Sequence, residues 1–419
     1  MQANPSQLPR NLQWLCLSML VLGLISFAVG LLTNPETTWR AYHVNYLYFA
    51  GIAQGGLAFA CALVIIGAKW AGPVRHVAEG LAAWAPITFV LCAIGFFGRE
   101  HIYTEWIHGV PHGKSGWLNM TRLYAMDLGI LGVLALLSLR YLKISFRPSM
   151  KGAGDRAPAM KAQFEAWTAN WQGDEAEREE STRKLTSLAP KIALLYAFGY
   201  GFIGFDQVMS LSPMWFSNLF AWYFAWGGFL CSITATTLIC ILLRRNSTAW
   251  ASQITKDRLH DLGKLIFAFS IFWMYLFFSQ YIVIWYGNLP EETQFFQARL
   301  GSQFLQDTWH WSTERLDEPY VKLALTAWLG CWVIPFWVLL GQAAKKTPAV
   351  LGSVAVASLF GFWLERNALI WPALAPNDGS AWIGGIQIGM ALGFLGGFVL
   401  VYLMFSRVFP SLPLPSSDR

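Results

Sequence analysis

Long apolar segments separated by short polar ones set the pattern of this chain. A transmembrane helix needs about 20 mostly apolar residues, and ten segments meet that length. The sequence therefore predicts an all-α integral membrane protein forming one polytopic domain over residues 1–419, with four spans in 12–142 and six in 189–405. The predicted spans are Leu12–Leu32, His43–Gly67, Ala78–Phe97, Trp117–Leu142, Ala189–Met209, Ser217–Leu243, Leu262–Gly287, Tyr320–Gln342, Ala349–Trp371 and Trp382–Phe405.

The first segment has a second interpretation as a signal peptide. Its apolar run is long for one, and no clear small-residue cleavage site follows. We therefore keep it as a span.

Basic residues mark one side of the membrane. The connection after the seventh span, residues 288–319, carries six acidic and two basic residues. Because Lys and Arg are enriched in cytoplasmic loops, both termini are predicted to be cytoplasmic. The basic set is Arg10, Lys69, Arg75, Arg244, Arg245, Lys256, Arg258, Lys345, Lys346 and Arg407.

The longest connection, residues 143–188, is predicted to be a cytoplasmic loop. Phe164, Trp167 and Trp171 recur there at helical spacing, which indicates a helix lying on the membrane surface. A solvated linker that docks on a partner is the alternative.

Composition supports the membrane class and argues against several chemistries. The chain is 55% hydrophobic and 13% charged, against about 25% charged in soluble domains. The formal charge of +6 does not indicate nucleic-acid binding, because the basic residues lie in short connections. The six cysteines form no Cys-x-x-Cys pair, and the seven histidines lie in loops or at span ends. We therefore expect no ligated haem or iron–sulfur cluster in this chain, and any redox metal in a partner.

Small residues recur at four-residue intervals on two spans. Such spacing lets helix backbones approach closely, so we interpret it as packing, and we expect Pro86 and Pro335 to kink their spans. The glycines are Gly51 and Gly55 on the second span, and Gly385, Gly389, Gly393 and Gly397 on the last.

Polar side chains gather toward the predicted external ends of the spans. An ionisable side chain at the bilayer centre costs roughly 2.5–3.5 kcal/mol, so we expect these groups to face the protein interior. The external set is His43, Tyr46, Arg99, Glu100, His101, Arg122, Asp127, Asp206, Gln207, Gln280, Tyr281, Glu365 and Arg366, while Asp261 and Lys264 open the seventh span on the cytoplasmic side.

Structural pairing explains several of these charges. Arg99 with Glu100, Arg122 with Asp127, and Glu365 with Arg366 are the candidate pairs. Asp206 differs, because it follows an apolar run with no basic neighbour in sequence. It needs a partner from another helix, and we favour a functional role for it.

Two helix ends share one design. Residues 205–217 read Phe-Asp-Gln-Val-Met-Ser-Leu-Ser-Pro-Met-Trp-Phe-Ser, and residues 278–293 read Phe-Ser-Gln-Tyr-Ile-Val-Ile-Trp-Tyr-Gly-Asn-Leu-Pro-Glu-Glu-Thr. The second stretch places Trp285 in a predicted interfacial belt, ends its helix at Asn288 and Pro290, and continues with Glu291 and Glu292. An ordinary helix end with belt aromatics is one interpretation. Two such ends on the same face also predict a site.

Two functions fit these polar groups, and a transporter is a third hypothesis from another class. An external quinol site needs a carboxylate or histidine to accept protons, with aromatics to hold the ring. A proton path needs ionisable groups linking both faces, and the middle of the membrane is sparsely supplied unless waters fill the gaps. A secondary transporter would instead concentrate polar groups and broken helices at mid-depth.

The two stretches resemble the NrfD/PsrC-like membrane subunits of alternative complex III. Supporting segments are Gly-Ile-Ala-Gln-Gly-Gly (51–56), Lys-Ser-Gly-Trp-Leu-Asn (114–119), Ile-Pro-Phe (334–336), and Trp-Leu-Glu-Arg (363–366) with the later Pro372. The resemblance covers most of the chain, from about Trp39 to Trp371. Asp206 matches the acidic position of the family's motif after the fifth span.

The resemblance implies two four-helix bundles with flanking helices, in a bacterial inner membrane. It implies a subunit of a quinol:cytochrome c-type oxidoreductase, whose haem c groups and iron–sulfur clusters lie in multihaem cytochrome and iron–sulfur subunits, beside a homologous membrane subunit. This chain looks more similar to the ActF-type sibling, which implies a role in assembly and in proton movement. The alternative is the sibling that itself binds and oxidises quinol, here near Asp206, His101 and Tyr281.

Overall fold

A computed structural model describes residues 10–151, 160–301 and 313–409. Within those ranges the chain is helical without strands, which confirms the all-α membrane class. Ten helical segments are long and apolar enough to cross a membrane, as predicted. They are Asn11–Thr33, Pro35–Ile65, Lys69–Ile102, Met120–Ser149, Asp174–Leu211, Asn218–Asn246, Lys256–Gly287, Val321–Val338, Pro348–Leu374 and Gly385–Val408, here called spans 1 to 10.

Successive spans run in opposite directions, so the connections fall on two faces. We call the motif face the one that carries residues 34, 103–119, 212–217, 288–301, 313–320 and 375–384. The terminal face is the opposite one, and it carries both described ends of the chain, at residues 10 and 409.

Spans 2 to 5 pack as one ring of four helices, and spans 6 to 9 pack as a second ring. We call them the first and second bundles. They meet where span 6 packs on spans 2 and 5, while spans 1 and 10 pack on each other beside span 2. Span 2 is consequently the most buried of the ten.

Several boundaries differ from prediction. Span 3 begins at Lys69 and span 5 at Asp174, so residues 174–188 belong to a helix rather than to the predicted loop. Arg147 explains the longer helix, because its guanidinium bonds both carboxylate oxygens of Glu177 at 2.6 and 2.9 Å. Span 8 ends at Val338, and a separate short helix, Gln342–Lys346, follows it.

The loop aromatics pack on the protein's own terminal face. Among the described residues between spans 4 and 5, a seven-residue α-helix forms at Lys161–Trp167, and Trp171 lies beyond it. Phe164 is buried, and Trp167 stacks on Phe409 with ring centroids 6.4 Å apart. The prediction of one helix through all three aromatics is therefore wrong, because the helix ends at Trp167 and its buried side packs on the end of span 10. Its place at a membrane surface stays a prediction.

The two prolines that were predicted to kink their spans each follow an irregular helical turn. Pro86 follows a 3₁₀ turn at Ala82–Trp84, and Pro335 follows a π-helical turn at Leu329–Val333. The remaining helices outside the spans are short. Among the described residues they are Thr248–Gln253, Pro290–Leu300 and the 3₁₀ helix Thr313–Asp317, and the last two lie on the motif face.

Candidate functional site

Asp206 finds its partner on another helix, as its isolation in sequence predicted. Arg122 on span 4 donates to its two carboxylate oxygens at 2.9 and 2.6 Å. The carboxylate is fully buried, whereas the Arg122 side chain is partly exposed. Arg122 therefore pairs with Asp206 and not with Asp127, five residues along its own helix, so that predicted pairing is wrong.

Segment 114–119, just before span 4, positions this pair. Asn119 caps span 4 by accepting a bond from the Arg122 amide at 3.1 Å. The Arg122 guanidinium donates to the Trp117 carbonyl at 2.7 Å and lies over its ring. Lys114 donates to the Pro213 carbonyl at 2.5 Å, which ties this segment to the stretch 205–217.

Asp127 lies deeper in the first bundle with a different set of partners. Gln207 donates to one carboxylate oxygen at 2.8 Å, and the Gln207 carbonyl lies 2.7 Å from His43 Nε2. Tyr46 also lies within 3.4 Å of the Gln207 amide. The other carboxylate oxygen, Asp127 Oδ1, is buried and has no hydrogen-bond partner among the described residues. A buried carboxylate oxygen without a partner is costly, so a water or a proton would stabilise it there.

The two opening stretches meet on the motif face. Trp215, from the first stretch, stacks on Phe295, which follows the second, with ring centroids 3.6 Å apart and planes 6° from parallel. Phe295 belongs to the helix Pro290–Leu300, whose first turn holds Glu291 and Glu292. Asn288 ends span 7 in the left-handed conformation at φ 46°. The predicted helix stop and shared face are confirmed.

A second polar cluster lies in the second bundle. Glu365 and Arg366 form a buried ion pair at 3.1 Å, as predicted. Arg366 also donates to the Phe224 carbonyl at 3.2 Å and lies over the Phe224 ring. Tyr223 interacts with the Glu365 carboxylate. Pairing makes such buried charges tolerable within a membrane.

Glu365 borders an apolar cavity of about 330 Å³, together with Gln280 and Tyr281 of span 7 and Arg299 of the helix Pro290–Leu300. Gln280 is buried and donates to the Leu276 carbonyl at 3.1 Å. Tyr281 packs against Phe278 and Phe296. Burial lowers the pKa of Arg299 to about 9, while nearby Tyr223 and Tyr320 oppose that shift.

The other predicted residues lie outside these clusters. Arg99 and Glu100 form a partly exposed pair at 3.5 Å, and the His101 carbonyl accepts a bond from Arg40 at 3.3 Å. Trp285 and Tyr286 are exposed neighbours whose rings contact each other, and Pro290 begins its helix. Asp261 pairs with Lys264 at 2.7 Å on the terminal face.

Sequence reasoning missed a buried carboxylate near the terminal face. Glu79 on span 3 is fully buried and accepts bonds from Tyr141 at 3.2 Å and Ser145 at 2.8 Å, both on span 4. His76 Nδ1 lies 2.8 Å away, and Arg75 forms an ion pair at 3.1 Å. Arg75 and His76 lie four and three residues before Glu79, the spacings at which helical side chains contact each other. These spacings were the signal that the sequence offered.

Sequence reasoning also missed Gln54, at mid-length in span 2. Its side chain is 1% exposed, and neither amide atom has a hydrogen-bond partner among the described residues. Within those same ranges, no group of three or more His, Cys, Asp and Glu side chains is placed to hold a metal ion.

Neither a family model nor a curated protein matches this sequence. The fold and the site therefore define its class, a multi-pass α-helical membrane protein. Each bundle holds a buried polar cluster toward the motif face, and the first bundle holds another toward the terminal face.

Proposed function

We propose that this chain is a membrane subunit of a respiratory quinol:cytochrome c-type oxidoreductase of the alternative complex III type, and that it conducts protons through its first bundle. It would hold no redox centre, and would contact an iron–sulfur subunit, a multihaem cytochrome c and a homologous membrane subunit in a bacterial inner membrane. The motif resemblance supports this context, because segments 114–119, 205–217 and 278–293 gather on one face.

The observation that carries the proton role is the environment of Asp127. Its carboxylate is buried, and one of its oxygens accepts a hydrogen bond from Gln207. The other oxygen has no hydrogen-bond partner among the described residues. The oxygens of Asp206, by contrast, are both engaged by Arg122. Asp127 is therefore the better proton carrier, and we assign Asp206 the task of holding Arg122 near it.

Span 4 connects Asp127 with the opposite face. Its buried stripe continues through Ser138 to Tyr141 and Ser145, which bond Glu79. From Asp127 to Tyr141 is 14 residues, or about 21 Å along the helix axis. One helix face thus carries groups able to hold or transfer protons near both ends of the first bundle.

Span 2 supplies a polar group between those ends. Tyr46, Ala50 and Gln54 follow one another at four-residue spacing on one face. Tyr46 lies by Gln207, and the Ala50 carbonyl accepts a bond from Tyr200 at 2.8 Å. The Gln54 amide, which has no described partner, would bind waters that bridge the gap in the middle of the membrane.

Quinol oxidation by this chain itself is the rival function. It required Asp206, His101 and Tyr281 to act at one site. Asp206 pairs with span 4 in the first bundle, whereas Tyr281 borders the cavity in the second. This separation favours proton conduction over that particular site.

Purification of the tagged chain in mild detergent tests the respiratory context. We expect mass spectrometry to identify iron–sulfur and multihaem subunits and a ten-span sibling, with quinol oxidation in the eluate. A chain that purifies alone, stable and without quinol oxidation, would remove the complex from the proposal and favour a transporter.

Proton flux through liposomes containing the full chain, driven by a potassium diffusion potential, tests the path separately. We expect Asp127→Asn to reduce flux at least about tenfold, since general acid–base groups contribute 10²–10⁴-fold to proton transfer. Gln54→Leu should also reduce flux, because it removes the amide that would bind the bridging waters. Asp378→Asn, an exposed change on the motif face, and Ser358→Ala, a buried change in the second bundle, are the controls. Equal flux in all four variants contradicts the path.

A further inference from the structure

A groove on the outside of the first bundle runs between spans 4 and 5, and we call it the outer groove. The two antiparallel helices meet where a Cβ on Gly199 would lie 2.7 Å from Ile130 Cγ2, and where Ser181 donates to the Ile144 carbonyl at 2.7 Å. At roughly 100° per residue, one exposed stripe of each helix lies roughly 80–140° from the first contact, on the same side. These stripes hold Leu136, Arg140 and Lys143 of span 4, and Lys191, Leu194 and Phe198 of span 5.

The charged end of the outer groove lies at one border of the hydrocarbon region. The α-helix of span 4 begins at Met120, so Arg140 lies about 30 Å along its axis. The hydrocarbon core of a bilayer is also about 30 Å thick. Leu136 consequently lies beside the lipid chains, while Arg140 and Lys143 lie at the level of the headgroups on the terminal face.

Lys191 brings a third cation to the same end of the groove. Counting along both helices from their two contacts places Lys191 about 3–9 Å closer to the membrane centre than Arg140. Neighbouring helices lie about 8–10 Å apart, and a lysine side chain extends its ammonium group toward the headgroups. Arg140 and Lys191 can therefore reach the same phosphate.

The three cations are not neutralised within the part of the chain that the structure describes. None of them forms an ion pair there, and Glu180, on the same side of span 5, pairs with Arg183 and Lys184 at 2.5 and 3.1 Å. Lys143 Nζ lies 5.3 Å from the ring centroid of Trp167, and indole rings favour the headgroup region. The groove thus presents positive charge at the depth where lipid phosphates lie.

The order of charged and apolar groups favours a phospholipid over a soluble anion or another protein. A phospholipid places its phosphate at the border and its chains toward the membrane centre, as the groove places its cations and its apolar wall. Leu136, Leu194 and Phe198 are exposed along that wall, and a soluble anion would gain nothing from them. Contacts between membrane helices favour small residues, whereas these side chains are large.

We propose that the outer groove binds an anionic phospholipid of the terminal-face leaflet. Arg140, Lys143 and Lys191 bind its phosphate, and its acyl chains follow the exposed apolar wall toward the membrane centre. Each Lys or Arg near an anionic lipid surface strengthens binding roughly fivefold. The site is independent of proton conduction and of the respiratory context.

Photocrosslinking of the full chain in phosphatidylcholine nanodiscs tests the site, with a phosphatidylglycerol that carries a diazirine on one acyl chain as the probe. We expect crosslinks within residues 133–139 and 194–198. Unlabelled phosphatidylglycerol should displace the probe, whereas the zwitterionic phosphatidylethanolamine should not. Glycerol phosphate in solution distinguishes a lipid headgroup from a free phosphate and should displace nothing. Crosslinks elsewhere, equal displacement by phosphatidylethanolamine, or displacement by glycerol phosphate would overturn the proposal.

Charge removal distinguishes the outer groove from the general positive charge of the terminal face. Arg140→Gln with Lys191→Gln should raise the half-saturating mole fraction of the probe about 25-fold, because two fivefold contributions are lost. Arg245→Gln with Lys256→Gln removes the same charge from exposed positions outside the groove and should change it little. Arg140→Lys with Lys191→Arg keeps the charge and should keep the binding. Equal binding by the two glutamine double variants would overturn the role of the groove.

All four of these side chains are exposed, so the variants should fold like the parent chain.

Discussion

At the scale of single residues, partners far apart in sequence define the candidate site. Arg122 and Asp206 are 84 residues apart, and Gln207 and Asp127 are 80 apart. The sequence showed that Asp206 needed a distant partner, because an unpaired carboxylate in a span is costly. The sequence did not show which cation is that partner. Arg122 could pair with either of two carboxylates, Asp127 or Asp206. Only the packing of span 5 against span 4 decides that choice.

The Arg122–Asp206 pair predicts unequal effects of removing either partner. Arg122→Gln leaves a fully buried carboxylate without its cation, which costs about 3–5 kcal/mol. Asp206→Asn leaves a guanidinium that is partly exposed and still bonded to Trp117, so its cost should be smaller. Thermal unfolding in detergent should therefore show a larger loss of stability for Arg122→Gln, with partial recovery in the double variant.

Two results would contradict this interpretation of the pair. One is a larger loss for Asp206→Asn than for Arg122→Gln. The other is simple additivity in the double variant, because residues in direct contact should couple. Arg99→Gln, at the exposed pair with Glu100, is the matched control and should change stability little.

At the scale of helices, apolar run length was a reliable signal and boundaries were not. Ten runs of about 20 residues specified ten spans, because backbone groups in lipid must bond within a helix. Span 5 extends over residues 174–188, which are polar, because tertiary contacts such as Arg147–Glu177 stabilise helix outside the apolar run. Run length does not report such contacts.

The glycine stripe on span 10 was predicted as packing, and the contacts distinguish its members. The backbones of Gly393 and Gly23 touch where spans 10 and 1 cross, so a Cβ on Gly393 would collide with span 1. Gly385, in the same stripe, has open space around it. The sequence spacing does not distinguish these glycines, whereas the point at which the two helices cross does.

Gly393→Ala should therefore destabilise the protein, and Gly385→Ala should not. Overpacking a close contact costs about 1–3 kcal/mol, against a small gain from replacing a helical glycine elsewhere. Thermal unfolding of both variants in detergent measures the difference. Equal stability would mean that spans 1 and 10 do not approach closely at Gly393.

At the scale of the whole molecule, the arrangement gives the two faces different compositions. The motif face carries segment 114–119 and residues 288–301 and 313–319, with the acidic Glu291, Glu292, Glu314, Asp317 and Glu318, while most Lys and Arg of the short connections fall on the terminal face. The alternation of spans fixes which connections share a face. It leaves open which face meets the cytoplasm, and the charge distribution supplies that assignment.

Labelling of single added cysteines from outside intact spheroplasts tests the predicted orientation. Ser115→Cys lies exposed on the motif face and Ser252→Cys exposed on the terminal face, and the six native cysteines are all buried, so background should be low. Because basic connections are retained in the cytoplasm, we expect an impermeant thiol reagent to reach Ser115→Cys directly and Ser252→Cys only after permeabilisation. The reverse order would invert the protein and place the Asp127 and Glu365 clusters near the cytoplasm. Both clusters would then open toward the cytoplasm, and that result would contradict the proposed respiratory role with partners on the external face.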